Sequence, residues 1–419
     1  MINKLKPKSE FSKNVLTLMT GTTIAQAIPI AISPILTRLY TPEDFGVFAL
    51  FITIVSIFGS IVNGRYELAI MLPRKDENAI NILALGFLIN IIISIFLLFL
   101  VIVFHDNILS LLNNNQISTW LYLIPFSVFL IGCFNLLNYF NNRKKQYKDL
   151  AQATVYKSLG NVVVQLSFGW LKYGVVGLIG GQIFSQIISN TKLFFNITNL
   201  NLFSSISRVK IVFFYKKYFE FALYSSGGAL LGVGVANLHY IFISNYFASS
   251  TLFVGLIFLS QRIISAPLSV ISSSFSQVFF QKLTDIKKLS ELKKIYIKFI
   301  QKLFIISFLL FIIVYSIPSS WYIVIFGDRW EGIDKIVKIL IIWYAISFVS
   351  SSVSFIYTRL ERQKEMFYFD IFHLFVISIF FLITYIYKLE FYLFLELYVF
   401  LKVIIYLIAI FLALRFLDE

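Results

Sequence analysis

Apolar residues run in long blocks along nearly the whole chain, broken by short polar segments. The block from Ile80 to Phe104 is almost continuously apolar. Blocks of about 20 such residues are what a helix needs to cross a bilayer. Within lipid, only helices and closed barrels satisfy every backbone polar group. Barrel strands alternate apolar and polar positions over about 10 residues, and these blocks do not alternate. The pattern therefore predicts helices, at 15–36, 47–72, 79–104, 119–140, 151–171, 174–196, 220–246, 252–280, 297–317, 334–357, 367–387 and 391–415. Two of the turns between them, near Lys172–Gly174 and near Lys388–Glu390, are very short. The first block is longer than a signal-peptide core and no small-residue cleavage site follows it, so it reads as an uncleaved first span.

Composition supports an all-α integral membrane protein. The chain has 419 residues, 58% of them hydrophobic and 14% charged, with a mean hydropathy of +0.83. A soluble domain is about 45–50% apolar. The net charge of +15 would suit nucleic acid, but its distribution has another cause. With the N-terminus in the cytoplasm, most of the 36 Lys and Arg fall on that side. They lie in the basic segment 1–14 and in "PRKDEN", "NNRKKQYKD", "SRVKIVFFYKKY", "QKLTDIKKLSELKK" and "TRLERQKE". The opposite "HDNILSLLNNNQIS" loop has none. This is the positive-inside bias. It predicts an even number of spans, both termini in the cytoplasm, and no nucleic-acid partner. The lysine-rich stretch 281–298 reads as a surface helix at the inner leaflet, where basic side chains meet anionic lipid.

The polar connection 196–219 separates six predicted spans from six, giving lobes 1–200 and 201–419. "GVFALF" at Gly46 and "GLIFLS" at Gly255 echo each other about half a chain apart. A repeated half with a midplane site is a recurring transporter design.

Candidate chemistry lies in the ionisable residues that fall inside spans, which are costly there. Arg65, in "VNGRYELAIML", either faces a cavity or anchors at the interface, since arginine can snorkel. Its neighbour Glu67 points elsewhere and reads as an inner-end salt bridge. Arg262, in "LSQRIISAPLS", lies deeper, and Pro267 after it can bend the helix. Lys157, Gln26 and Asn237 either line a cavity or bond to neighbouring helices. His239 reads as a packing histidine, and Glu396 and Lys402 as groups that neutralise neighbours rather than bind a ligand. Asp370 and His373 are one turn apart and suit proton or sodium coupling; a hydrated pair is the plainer alternative. No metal cluster is visible, and the one cysteine, Cys133, reads as a packing residue. Gly174, Gly177, Gly180 and Gly181 suit close helix packing, because no Walker lysine follows them. Without a Walker pair or a long outer loop carrying paired catalytic groups, an enzyme is not expected.

"LTRLYTPEDFGVFALF" followed by "NGRYELAIMLPR" resembles the opening of bacterial polysaccharide-unit flippases. These are the O-antigen and capsule exporters of the multidrug/oligosaccharidyl-lipid/polysaccharide (MOP) transporter superfamily. "FVGLIFLSQRIISAPLSVISSSFSQVFFQKL" and "IFGDRWEGI" resemble later regions of the same family. The resemblance implies about 12 transmembrane helices in two six-helix lobes around a central cavity, in a bacterial cytoplasmic (inner) membrane. It implies inner-to-outer flipping of an undecaprenyl-diphosphate-linked oligosaccharide for O-antigen, capsule or exopolysaccharide synthesis. Membrane lipid is then a partner, and a polysaccharide polymerase and a chain-length regulator are the candidate protein partners. Arg65 and Arg262 fall where related flippases carry cavity arginines; no cofactor is implied. The first helix carries Gln26 and no deep arginine, unlike the lipid-linked peptidoglycan relatives. The rival readings are a drug or cation exporter of the same superfamily, a membrane polysaccharide polymerase or ligase, and a non-transporting scaffold. An exporter of cations predicts an acidic cavity, whereas the deep charges here are basic.

Overall fold

The computed structural model describes residues 10–197, 205–247, 249–284, 286 and 288–418. The basic segment 1–9, and 198–204 of the expected mid-chain connection, lie outside them. Among the described residues there is no strand. The helices are α1 (Glu10–Leu39), α2 (Pro42–Gly59), α3 (Tyr66–Ala69), α4 (Asp76–Val103), α5 (His105–Leu112), α6 (Ser118–Leu121), α7 (Ile124–Arg143), α8 (Tyr147–Trp170) and α9 (Val175–Phe195). They continue with α10 (Arg208–Tyr246), α11 (Ser250–Thr284), α12 (Leu289–Tyr315), α13 (Ser319–Phe326), α14 (Ile333–Val353), α15 (Phe355–Arg359), α16 (Gln363–Tyr387) and α17 (Phe391–Phe416). Every predicted span has its long helix. Ten of the described helical segments are long and apolar enough to cross a membrane. The other two long helices, α8 and α9, carry more polar residues, among them Gln165, Gln186 and Asn190.

The α1–α2 turn shows why these residues start and stop helices. Thr41 caps α2: its hydroxyl accepts from the Asp44 amide at 3.2 Å, and its own amide donates to the Asp44 carboxylate at 2.9 Å. Pro42 takes the first helical position and Glu43 the first turn, where fixed φ and the helix dipole favour them. The expected short turns are both present, with Lys172 (φ 60) and Gly174 (φ 55) between α8 and α9, and Lys388 (φ 50) between α16 and α17. In "IFGDRWEGI", Gly327 (φ 92) and Gly332 (φ 87) flank a 3-10 turn that buries Trp330.

Three expectations change. The predicted second span, 47–72, is two pieces. α2 ends at Gly59, and the chain turns through Gly64 (φ 55) and Arg65 (φ 60) before α3. Two successive left-handed residues cannot continue a right-handed helix. The lysine-rich stretch 281–298 is not a separate surface helix, because from Leu289 it is the start of spanning helix α12. The "HDNILSLLNNNQIS" segment is not a plain loop but carries α5 and a 3-10 turn.

The chain divides into two compact units, 1–245 and 246–419. In the first, α8 packs between α1 and α9, while α7 joins α2, α4 and α9. α10 belongs to this unit through polar ties at both ends. The Asn81 amide donates to Ser205 O at 2.9 Å and its carbonyl accepts from the Ser207 amide. Lys210 pairs with Glu77, and at the far end Ser244 and Asn245 donate to Leu112 O and Leu111 O. In the second unit, α14 is central and packs on α11, α12 and α17. Large apolar side chains such as Ile92, Ile95, Phe99, Phe308 and Phe375 are exposed on the helix surfaces, as a lipid-facing surface requires.

Candidate functional site

In the first unit, the break after α2 gathers the most demanding polar groups. Arg65 and Glu67 form an ion pair, Nη1 to Oε1 at 3.3 Å. The Arg65 side chain is 28% exposed and that of Glu67 only 3%. Asn63 is buried and donates from Nδ2 to Gly132 O at 3.0 Å. The Asn63 side chain also lies beside the Glu67 carboxyl and favours its ionised form. Three buried atoms here have no hydrogen-bond partner among the described residues: Arg65 Nε, Glu67 Oε2 and Asn63 Oδ1. Tyr139 of α7 stands within the field of both charges. α3 lies between the spanning helices α2 and α4. Burial pushes the Glu67 carboxyl up from its usual range, against the lowering effects of its own backbone amide, Arg65 and Asn63. Tyr66 locks the break in place: its hydroxyl donates to Tyr215 O at 3.0 Å and its ring stacks on that of Tyr215.

Lys157 and Gln26 flank one helix crossing. There Gly21 of α1 lies so close to Ala151 of α8 that a Cβ on the glycine would come within 2.6 Å of the alanine Cβ. Ser158 donates across this crossing to Ala25 O at 2.7 Å. The Lys157 ammonium sits over the Phe134 ring, 4.3 Å from its centroid, and no carboxylate pairs with it among the described residues. Gln26 is half-buried on α1. Asn237 is half-buried on α10 and donates back to Val233 O of its own helix at 2.9 Å.

In the second unit, Arg262 is half-buried on α11, which stays helical through Pro267. Beyond it lies a cleft between α11 and α14 of about 340 Å³, lined by Ser265, Ser269, Ser272, Ser273, Ser347 and Ser351, with Tyr344. Ser272 bonds to Ser351 and Ser352 at 3.0 and 2.9 Å. Small residues let helices approach closely, and the hydroxyls add polar atoms to a cleft that Leu268, Phe348 and Tyr344 keep largely apolar. His373 does not pair with Asp370 among the described residues. Its Nε2 instead meets Lys402 Nζ of α17 at 3.1 Å, both groups buried. Lys402 also lies over the Trp343 and Tyr398 rings at 5.3 and 5.4 Å. Asp370 is half-buried beside this cluster. Among the described residues, no group of three His, Cys, Asp or Glu could hold a metal ion.

Sequence reasoning singled out Arg65 and Arg262 as candidates but missed their surroundings. Asn63 lay inside the predicted second span and was not singled out. Glu67, two residues from Arg65, would point away on a continuous helix, and only the left-handed backbone at Gly64 and Arg65 brings them together. The serines were legible. Ser265, Ser269, Ser272 and Ser276 are spaced four, three and four apart, which is one helix face.

These features define an all-helical protein with many segments long and apolar enough to cross a membrane. The chain superposes with a TM-score of 0.65 on an inward-facing multidrug resistance MATE family transporter of the MOP superfamily, at 14% identity over 97% of this chain and 94% of that one. It matches equally well a MOP superfamily transporter from Pyrococcus furiosus, described as having a binding pocket of reverse polarity that suggests a different function (TM-score 0.65, 13% identity, 97% and 96% covered). An outward-facing MATE family transporter also matches (TM-score 0.60, 15% identity, 97% and 95% covered). A comparison with curated proteins found no match. Residues 35–335 match the family described as polysaccharide biosynthesis protein, and the chain belongs to that family.

Proposed function

We propose that the protein flips an undecaprenyl-diphosphate-linked oligosaccharide from the inner to the outer leaflet of the bacterial cytoplasmic membrane. The observation that carries this reading is the polysaccharide biosynthesis family match over residues 35–335 on a chain with a transporter fold. The chemistry of the candidate residues supports it. A diphosphate is strongly anionic, and a guanidinium offers it paired donors, strongest where water is scarce. Arg65 and Arg262 are each assigned to the diphosphate at some stage of the cycle. Lys157, Gln26 and Asn237 are secondary polar contacts, and the serine cleft beside Arg262 offers hydroxyls to sugar. The lipid tail stays in the bilayer, and no covalent bond is made or broken. Both termini lie in the cytoplasm, and the polymerase that consumes the flipped unit is the expected partner.

Surface polysaccharide display in a strain dependent on this protein tests the reading. Arg65→Ala and Arg262→Ala are each expected to lower display about tenfold or more at matched protein levels, the loss of a charge-assisted hydrogen bond. Normal display in both variants overturns the assignment. Wild-type protein that exports cationic drugs and leaves display unchanged when deleted establishes the exporter reading instead.

A further inference from the structure

The break after α2 holds an unbalanced set of polar atoms. Among the described residues, two buried acceptors, Glu67 Oε2 and Asn63 Oδ1, lack a donor, and one buried donor, Arg65 Nε, lacks an acceptor. Two different ligands would ease the imbalance. A proton on Glu67 Oε2 neutralises the buried carboxylate. An anion at Arg65 supplies an acceptor to its guanidinium. The two sites also differ in access. Arg65 is 28% exposed and can be reached by a large anion, whereas Glu67, 3% exposed, is open to little more than a proton.

We infer that Glu67 and an anion compete for Arg65, and that Glu67 takes up a proton when the anion displaces it. The inference rests on the assignment of Arg65 to the diphosphate. Its physical basis is the cost of a buried carboxylate. With Arg65 beside it, the charge is partly compensated. Once the guanidinium turns to a second anion, Glu67 is left as a buried charge without its counter-ion and next to new negative charge, and both effects favour the protonated form. The balance is simple: one proton passes from water to Oε2, the Arg65–Glu67 ion pair opens, and an Arg65–anion pair forms.

The other charged and titratable groups around α3 do not replace Arg65. Arg143 of α7 donates to Ile70 O at 3.1 Å and is neutralised by Asp76 of α4 at 3.0 Å. Lys144 binds the same Asp76. Tyr139 of α7 stands near both members of the pair. The Tyr66 hydroxyl donates to the backbone O of Tyr215 in α10, and the two rings stack. Proton uptake and anion binding are therefore reciprocal effects of one site, so anion affinity rises as pH falls.

The test uses the full chain in lipid nanodiscs with inorganic pyrophosphate as the probe. Calorimetric titration in buffers of different ionisation enthalpy counts protons taken up per anion bound. Glu67→Gln, an isosteric change, is run in parallel to subtract the protons that pyrophosphate itself gains, and thermal unfolding confirms that it folds. The expected result is that wild type takes up as much as about one proton more than Glu67→Gln, with binding lost in Arg65→Ala. Equal proton counts in wild type and Glu67→Gln, with binding still dependent on Arg65, overturn the proton inference and leave the diphosphate assignment standing. Binding that is unchanged in Arg65→Ala, or absent from wild type, overturns both.

Discussion

At the scale of single residues, the turn "LTRLYTPEDFGVFAL" is a set of ties rather than a binding patch. Tyr40 is fully buried and donates to Gln165 O at 2.5 Å. Burial first, and the nearby Asp44 charge second, hold its phenol well above its usual range, so it remains a donor throughout the physiological pH range. A Cβ on Gly177 would lie 2.1 Å from the Tyr40 oxygen, which leaves no room for a larger residue. Gly177→Ala is therefore expected to cost about 1–3 kcal/mol, read as a lower thermal midpoint in detergent. Part of that cost should disappear in a Tyr40→Phe background, because the two changes share one contact. Thr41→Ala is expected to cost about 1 kcal/mol through the lost cap. Pro42, Glu43 and Asp44 were legible as a helix start from their order alone. The partner of Tyr40 was not, since Gln165 lies in a helix far along the chain.

At the scale of elements, apolar blocks located all twelve long helices, because burial in lipid writes itself into long stretches of sequence. The break in the second block was missed, although Asn63–Gly64 is a turn pair and Arg65 and Glu67 follow it, because apolar residues resume at Leu68. Gly64→Ala, at φ 55, is expected to cost about 1–2 kcal/mol and to disturb the Arg65–Glu67 pair. The Lys402–His373 contact was hidden, because its members come from α16 and α17 and neither names the other. It leads to an asymmetric prediction. Lys402→Met removes a buried polar group whole and is expected to leave the thermal midpoint unchanged or higher. His373→Leu takes one acceptor from a buried ammonium and is expected to cost about 1–3 kcal/mol. No loss of thermal stability in His373→Leu would mean that the contact contributes nothing to stability.

At the scale of the whole molecule, the sequence carried membrane insertion, helix number and family, all of which depend on averages over many residues. It did not carry the division of the chain at Asn245–Tyr246, which depends on the polar ties of α10. α10 has 39 residues, about 58 Å at the usual helical rise, against a hydrocarbon core of about 30 Å. Its N-terminal turns, with Arg208, Lys210, Lys216 and Lys217, therefore extend beyond the hydrocarbon. The charge bias predicts that this end is cytoplasmic, and the single cysteine makes the prediction easy to check. In a Cys133→Ala background, Asn107→Cys is expected to react with an impermeant maleimide added to intact cells. Lys145→Cys is expected to react only after the membrane is opened. The reverse pattern would invert the topology. The turn at Tyr40 has a last consequence. Its side chains hold α1 and α2 against α8 and α9, and nothing in that task depends on what is carried. A search keyed to this turn will therefore gather chains by how they are assembled, and two proteins that share it letter for letter can still handle different cargo.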